Sequence, residues 1–246
     1  MSALTRLTAT ETKLFFREPM MVFFALAFPP ILLVILGLVP AMREPSADLG
    51  GVRVISLYVP IIVAMSLALF ALNNLSQMFA TYREKGVLRR MRTTPVEPKV
   101  MLGAQILMAT ILSVVTMVVV LAIGRLAFDV SLPRQPLAYL VSYVLAALSI
   151  FALGLLVASI APSGKSAGAI GSMLFFPIVF FAGLWAPRDT MNGVLRTISD
   201  FTPLGAGVQS LQDAAAGQWP QLLHLAVMSG WTIVAGLLAA RYFRWE

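Results

Sequence analysis

Twenty-nine charged side chains punctuate this chain of 246 residues, and none of them falls within six long windows. The windows are 20–40, 55–79, 100–124, 137–161, 167–186 and 221–240. A helix rises about 1.5 Å per residue, so each window reaches across a hydrocarbon core of about 30 Å. Helix is the natural form, because it satisfies backbone N–H and C=O groups within their own segment in lipid. Hydrophobic residues make up 59% of the chain and charged residues only 12%, far from the balance of a water-soluble domain. The expected fold class is an all-α integral membrane protein with six transmembrane helices, forming a single transmembrane domain over residues 1–246. No hydrophilic domain of useful size fits between the windows.

The connecting segments carry the orientation. With both termini inside, the inner segments hold 12 Lys and Arg and the outer loops hold 6. Acidic residues divide 5 inside to 6 outside, so the net charge of +7 is all on one side. That asymmetry is topology and not a nucleic-acid footprint. Both termini are expected in the cytoplasm. The first window is too long for the apolar core of a signal peptide, so it reads as an uncleaved first span.

The search for chemistry returns little. There is no cysteine, which excludes thiol catalysis and cysteine metal sites. The stretch Ser159-Ile160-Ala161-Pro162-Ser163-Gly164-Lys165-Ser166 approaches a phosphate-binding loop, but Ser159 stands where glycine is needed and an apolar helix precedes it instead of a strand. A tight cytoplasmic turn is expected there, followed by Gly164, Gly168 and Ser172 as a small-residue stripe for close helix packing. His224, the single histidine, sits near the outer end of the last window and reads as an interfacial polar residue, with a proton relay as the alternative. Ion-coupled carriers place Asp, Glu, Lys or Arg within their spans. These windows contain none, so the energy for any transport must arrive from elsewhere.

Two cytoplasmic elements stand out. The segment 1–19 reads as an amphipathic interfacial helix, with Leu4, Leu7, Leu14 and Phe15 broadly on one face, interrupted at Thr8 and Glu11. It breaks at Glu18-Pro19. The inner loop 80–99 contains Arg83-Glu84-Lys85-Gly86-Val87-Leu88-Arg89-Arg90-Met91-Arg92. Gly86 is placed to end the second helix. Val87, Leu88 and Met91 share one side of a short turn, and Thr94-Pro95-Val96-Glu97 reads as a capping box. A topology-enforcing basic loop and a docking element for a partner both fit this pattern.

These residues together resemble the membrane permease of a type-two ATP-binding cassette (ABC) exporter. The resemblance begins at Lys13-Leu14-Phe15-Phe16-Arg17-Glu18-Pro19 and is most specific at Arg83 through Pro95. It continues at Phe176-Pro177, at Gly183-Leu184-Trp185-Ala186-Pro187 and at Thr202-Pro203-Leu204. By the loop, the daunorubicin-exporter branch of multidrug efflux is nearest. The resemblance implies a separate nucleotide-binding ATPase subunit in two copies, which would bind ATP and Mg. This chain would have no cofactor of its own. It also implies a second permease chain, identical or not, in the cytoplasmic membrane of a bacterium among its lipids, with no nucleic-acid partner. Arg83, Glu84, Lys85, Gly86, Arg89, Arg90 and Arg92 would couple to the ATPase, with Arg17 and Glu18 as a second contact. Within the external loop 187–220, the stretch 187–218 would form two short re-entrant helices, with Thr202-Pro203 as a start, Gly217 as a stop and an outer gate as the hypothesis.

A substrate path can be sketched from helical spacing. Ser66, Phe70, Asn73 and Gln77 step by four, three and four residues, so on a regular helix they share a sector of about 60°. Asn74 flanks them. The fifth window adds Phe175, Phe176 and Phe180, with Pro177 as a kink. Neutral polar groups beside aromatics suit an amphipathic or apolar cargo, and hydrogen bonding between helices is the competing explanation. A passive channel or scaffold, and a lipid-modifying membrane enzyme, are the alternative classes. Neither pore-lining charge nor grouped catalytic residues support them.

Overall fold

In a computed structural model, residues 3–46, 50–87, 90 and 98–242 are described. They form helices and turns, with one isolated β-bridge between Pro45 and Arg53. Helix α1 (Ala3–Phe15) precedes the first span, α2 (Pro19–Leu38). The other spans are α3 (Val54–Glu84), α4 (Pro98–Phe128), α5 (Pro136–Ile160), α6 (Gly164–Phe181) and α9 (Leu222–Tyr242). Two shorter helices, α7 (Gly193–Phe201) and α8 (Pro203–Ala216), lie between the last two spans. The protein is an all-α integral membrane protein, with six apolar helices long enough to cross a bilayer among the described residues.

Helix α3 runs through the centre and is buried on nearly every side from Ile55 to Ala80. The outer helices invert the soluble pattern. Ile35 and Leu38 on α2, Val118 on α4, and Ile233 and Leu237 on α9 are all exposed. Large apolar side chains on the outside are stable only where hydrocarbon replaces water.

Two spans contain wider, π-type turns. In α2 the turn covers Phe23–Ala27, where the Phe28 N–H donates to the Phe23 carbonyl five residues back. Pro29 and Pro30 follow directly, and the wider turn makes room for rings that would crowd carbonyls in a regular helix. In α3 the turn covers Leu69–Leu75, and the Ser76 N–H donates to the Ala71 carbonyl.

Glycines set how closely the helices approach. A Cβ on Gly154 of α5 would lie 2.3 Å from the Ala71 carbonyl oxygen, and one on Gly171 of α6 only 1.9 Å from that of Leu72. Both contacts fall on the wide turn of α3. Gly164 and Gly168 press on Thr81 and Gln77 of the same helix. The expected small-residue stripe is thus in contact with α3, and Gly171 extends it.

On the far side, α7 starts at Asn192, whose side chain accepts from the Leu195 N–H at 2.9 Å. The Thr202 hydroxyl then accepts from Gly205 N–H at 3.1 Å to start α8, with Pro203 at the first position. Helix α8 turns back into the bundle and buries Leu204, Val208 and Leu211 against α3, α5, α6 and α9. Gly217, at φ 97°, ends it.

Helix α1 buries a face that overlaps the expected one at Phe15 but is rotated away from Leu14. Leu14 is exposed, whereas Thr8, Glu11 and Phe15 are buried against α4 and its neighbours. Leu4, Thr8, Glu11 and Phe15 follow the spacing of one helical face. The two polar members are satisfied there: Thr8 donates to its own Leu4 carbonyl at 2.9 Å, and Glu11 accepts from Tyr82 and Gln105.

Candidate functional site

A groove of about 400 Å³ opens between α2, α3 and α6. Met20, Met21 and Phe24 form the α2 wall, and Leu69, Asn73, Asn74 and Gln77 come from α3. Ser172, Phe175 and Phe176 complete it from α6. None of the ten lining residues is ionisable. The Ser172 hydroxyl donates to Asn73 Oδ1 at 3.1 Å, tying the two polar positions of the α3 and α6 walls together. Such a lining can hydrogen-bond an uncharged polar group and bury an apolar or aromatic body beside it.

The residues expected along a path divide into two sets. Asn73, Asn74, Gln77, Phe175 and Phe176 line the groove together. Ser66 and Phe70 do not. Ser66 is fully buried with its hydroxyl donating to Val63 O at 2.7 Å, and Phe70 stacks on Phe15 of α1 at 6.2 Å between ring centres. The wide turn at Leu69–Leu75 is the reason. An extra residue in one turn rotates everything beyond it by roughly 100°, so Ser66 before the turn and Gln77 after it no longer share a face, and Phe70 and Asn73 within it lose their regular-helix spacing. Phe180 lies further along α6 and packs edge-on against Phe181, with centroids 5.3 Å apart. Sequence reasoning missed the α2 wall. Its signal was the run Met20-Met21-Val22-Phe23-Phe24, since methionine and phenylalanine suit adaptable binding surfaces.

The basic loop begins where α3 ends. Lys85 is exposed, Gly86 has φ 65°, and the Arg90 N–H donates to the Gly86 carbonyl at 3.1 Å. Arg90 is exposed. Arg89, Arg92, Leu88, Met91 and the Thr94–Glu97 capping box lie outside the described residues. Arg17 and Glu18 are exposed at the break between α1 and α2. Arg83 and Glu84 are engaged within the subunit. Arg83 donates to the carbonyls of Ser159 at 3.0 Å and Ala161, and Glu84 Oε2 accepts from the Gly164 N–H at 2.9 Å.

Behind this end of α3 sits the buried carboxyl of Glu11. Tyr82 donates to it at 2.7 Å and Gln105 also donates. Burial pushes its pKa above the usual 4.5, and the two hydrogen bonds oppose part of that rise.

The opposite end of the molecule carries a second polar cluster. Arg188 reaches both oxygens of Asp200 at 2.6 and 2.7 Å, and His224 Nε2 lies 3.3 Å from the same carboxylate. His224 is only 2% exposed. It is a buried partner in this cluster, in the first turn of α9. Burial raises the Asp213 carboxyl, with His224, the Gln221 backbone and Arg188 pulling the other way.

Against known proteins, the chain matches the family described as ABC-2 type transporter over residues 2–215. It is 24% identical over 168 residues to the protein named "Putative transport permease YvfS" from Bacillus subtilis (strain 168). That match covers 66% of this chain and 66% of the relative, just under two thirds of the latter's length.

Proposed function

Because the chain belongs to the ABC-2 type transporter family, we propose that it is the permease of an ATP-driven exporter of the daunorubicin or multidrug type. Permeases of this family generally work with an ATPase subunit. In this reading two ATPase copies bind ATP and Mg, and two permease chains pair in a bacterial cytoplasmic membrane with all termini inside. The open side of the α2–α3–α6 groove then faces the second permease chain. The cargo is amphipathic or apolar and largely uncharged where it meets this chain. The observation that carries this cargo class is the composition of the groove: three amides and a hydroxyl among methionine and phenylalanine, without an ionisable group.

ATP binding draws the two motors together. The basic loop after α3, with Lys85, Arg89, Arg90 and Arg92, receives that motion, and Arg17-Glu18 forms the second contact. The groove then passes from inward to outward access. Helices α7 and α8 form the outer closure.

Purification from the native membrane in mild detergent should yield a complex with ATPase activity. Reversing the charge of Arg89 and Arg90 together should leave the chain inserted but separate ATP hydrolysis from transport. Undiminished transport by that variant would remove the loop from the coupling path. Replacing Asn73 and Gln77 by Leu should weaken cargo binding by about tenfold per lost hydrogen bond to the cargo. Unchanged affinity would assign both amides to helix packing instead.

A further inference from the structure

Arg83 and Glu84 are neighbours in sequence, yet they hold two different helix ends. The last carbonyls of a helix lack intrahelical donors and carry partial negative charge, and the first N–H groups carry partial positive charge. Arg83 binds the carbonyls of Ser159 and Ala161 at the close of α5, and Glu84 accepts from Gly164 at the start of α6. Each charge sits at the terminus of opposite partial sign. The two side chains therefore grip the α5–α6 turn from both sides.

The grip continues along α6. Gly164 approaches Thr81, Gly168 approaches Gln77, Gly171 meets the Leu72 carbonyl, and Ser172 bonds Asn73. From Thr81 to Leu72, α3 and α6 stay in close contact. The α2 wall of the groove is held by apolar packing instead: Met20 and Phe24 are exposed, and Met21 is partly buried against the core.

We propose that Arg83 and Glu84 form a clasp that makes the α5–α6 turn move as one body with the end of α3, so that the groove opens between α2 and a rigid α3–α6 wall. This rests on the transporter reading above. Motion entering at the loop after α3 reaches α6 directly through the clasp. Arg83 and Glu84 are positioning residues here; the motor contacts lie further along the loop.

The native chain has no cysteine, which permits a clean test. A Cβ on Gly164 lies 3.2 Å from that of Thr81, close to the separation of about 3.5–4.5 Å in disulfides. The probe is maleimide labelling at Ser172→Cys in the purified complex, compared without nucleotide and after trapping with ATP and vanadate. In the otherwise native chain the labelling rate should change by about tenfold between the two states. Arg83→Gln with Glu84→Gln should abolish that change while the ATPase still turns over, and Glu84→Gln alone should reduce it. Adding Thr81→Cys with Gly164→Cys and oxidising them should restore it. The oxidised pair in the native background should leave it intact.

A nucleotide response that survives both neutral substitutions, or that the disulfide blocks or fails to restore, overturns the clasp. If the Ser172→Cys chain itself recruits no ATPase and shows no nucleotide response, the transporter reading fails first. The two failures are therefore distinct.

Discussion

At the scale of single residues, the buried carboxyl of Glu11 has the clearest consequence. Burial holds its proton more tightly in the folded chain than in the unfolded one. The stability this group contributes is full below its ordinary value of 4.5, and it is lost as pH rises through the raised value. Thermal unfolding in detergent should show that loss between acid and neutral pH. Glu11→Gln should flatten it. Glu11→Leu should instead destabilise at every pH by about 1–3 kcal/mol for each donor left without an acceptor, Tyr82 and Gln105. A Leu variant as stable as the native chain would show that water reaches both donors. Hydropathy cannot reveal such a site, because Glu11 and Thr8 look like interruptions of an apolar face until Tyr82 and Gln105 are brought to them.

At the scale of elements, helix approach is decided by where side chains are missing. Gly171→Ala would put a methyl group into the Leu72 carbonyl, a backbone atom that cannot rotate away. Forced overpacking of this kind costs about 1–3 kcal/mol. Gly236 in α9 has nothing within 4 Å of the same position, so Gly236→Ala should be neutral or stabilising by up to about 1 kcal/mol. Opposite shifts in unfolding temperature for the two variants would confirm that the α3–α6 seam is the tight one. Equal shifts would mean that α6 can retreat from α3 at little cost. The expected stripe at Gly164, Gly168 and Ser172 was legible as small residues at helical spacing. Gly171, three residues after Gly168, has the same spacing, but only the fold shows that it meets the Leu72 carbonyl.

For the whole molecule, the charge asymmetry makes a direct prediction. In intact cells, a membrane-impermeant maleimide should miss Lys85→Cys and label Arg125→Cys, since both side chains are exposed at opposite ends of the spans. The cysteine-free background removes competing signals. The reverse pattern would place the basic loop outside and remove it from any cytoplasmic motor. The outer cluster gives a second test at this scale. Asp200→Ala strands Arg188 and His224, which join the 187–220 region to α9. It should loosen α7 and α8, seen as faster amide hydrogen exchange there than in α3. Unchanged exchange would show that α8 packing alone holds the outer helices.

The amino-acid sequence by itself determined the class, the number of spans, their order and the side on which charge gathers. A span in lipid must satisfy its own backbone and keep charge out, and that demand is written as composition along a line. It also marked where helices start and stop at Gly86, Thr202 and Gly217, because caps are local chemistry. Which face each helix turns inward was decided only by the tertiary structure. In spans apolar on every side there is no periodic signal to read. A single wide turn then carries Asn73 and Gln77 to the groove while Ser66 and Phe70 stay in the core. The partners of Arg83 and Glu84 were hidden for the same reason: they lie more than seventy residues away, at helix ends that only folding brings together.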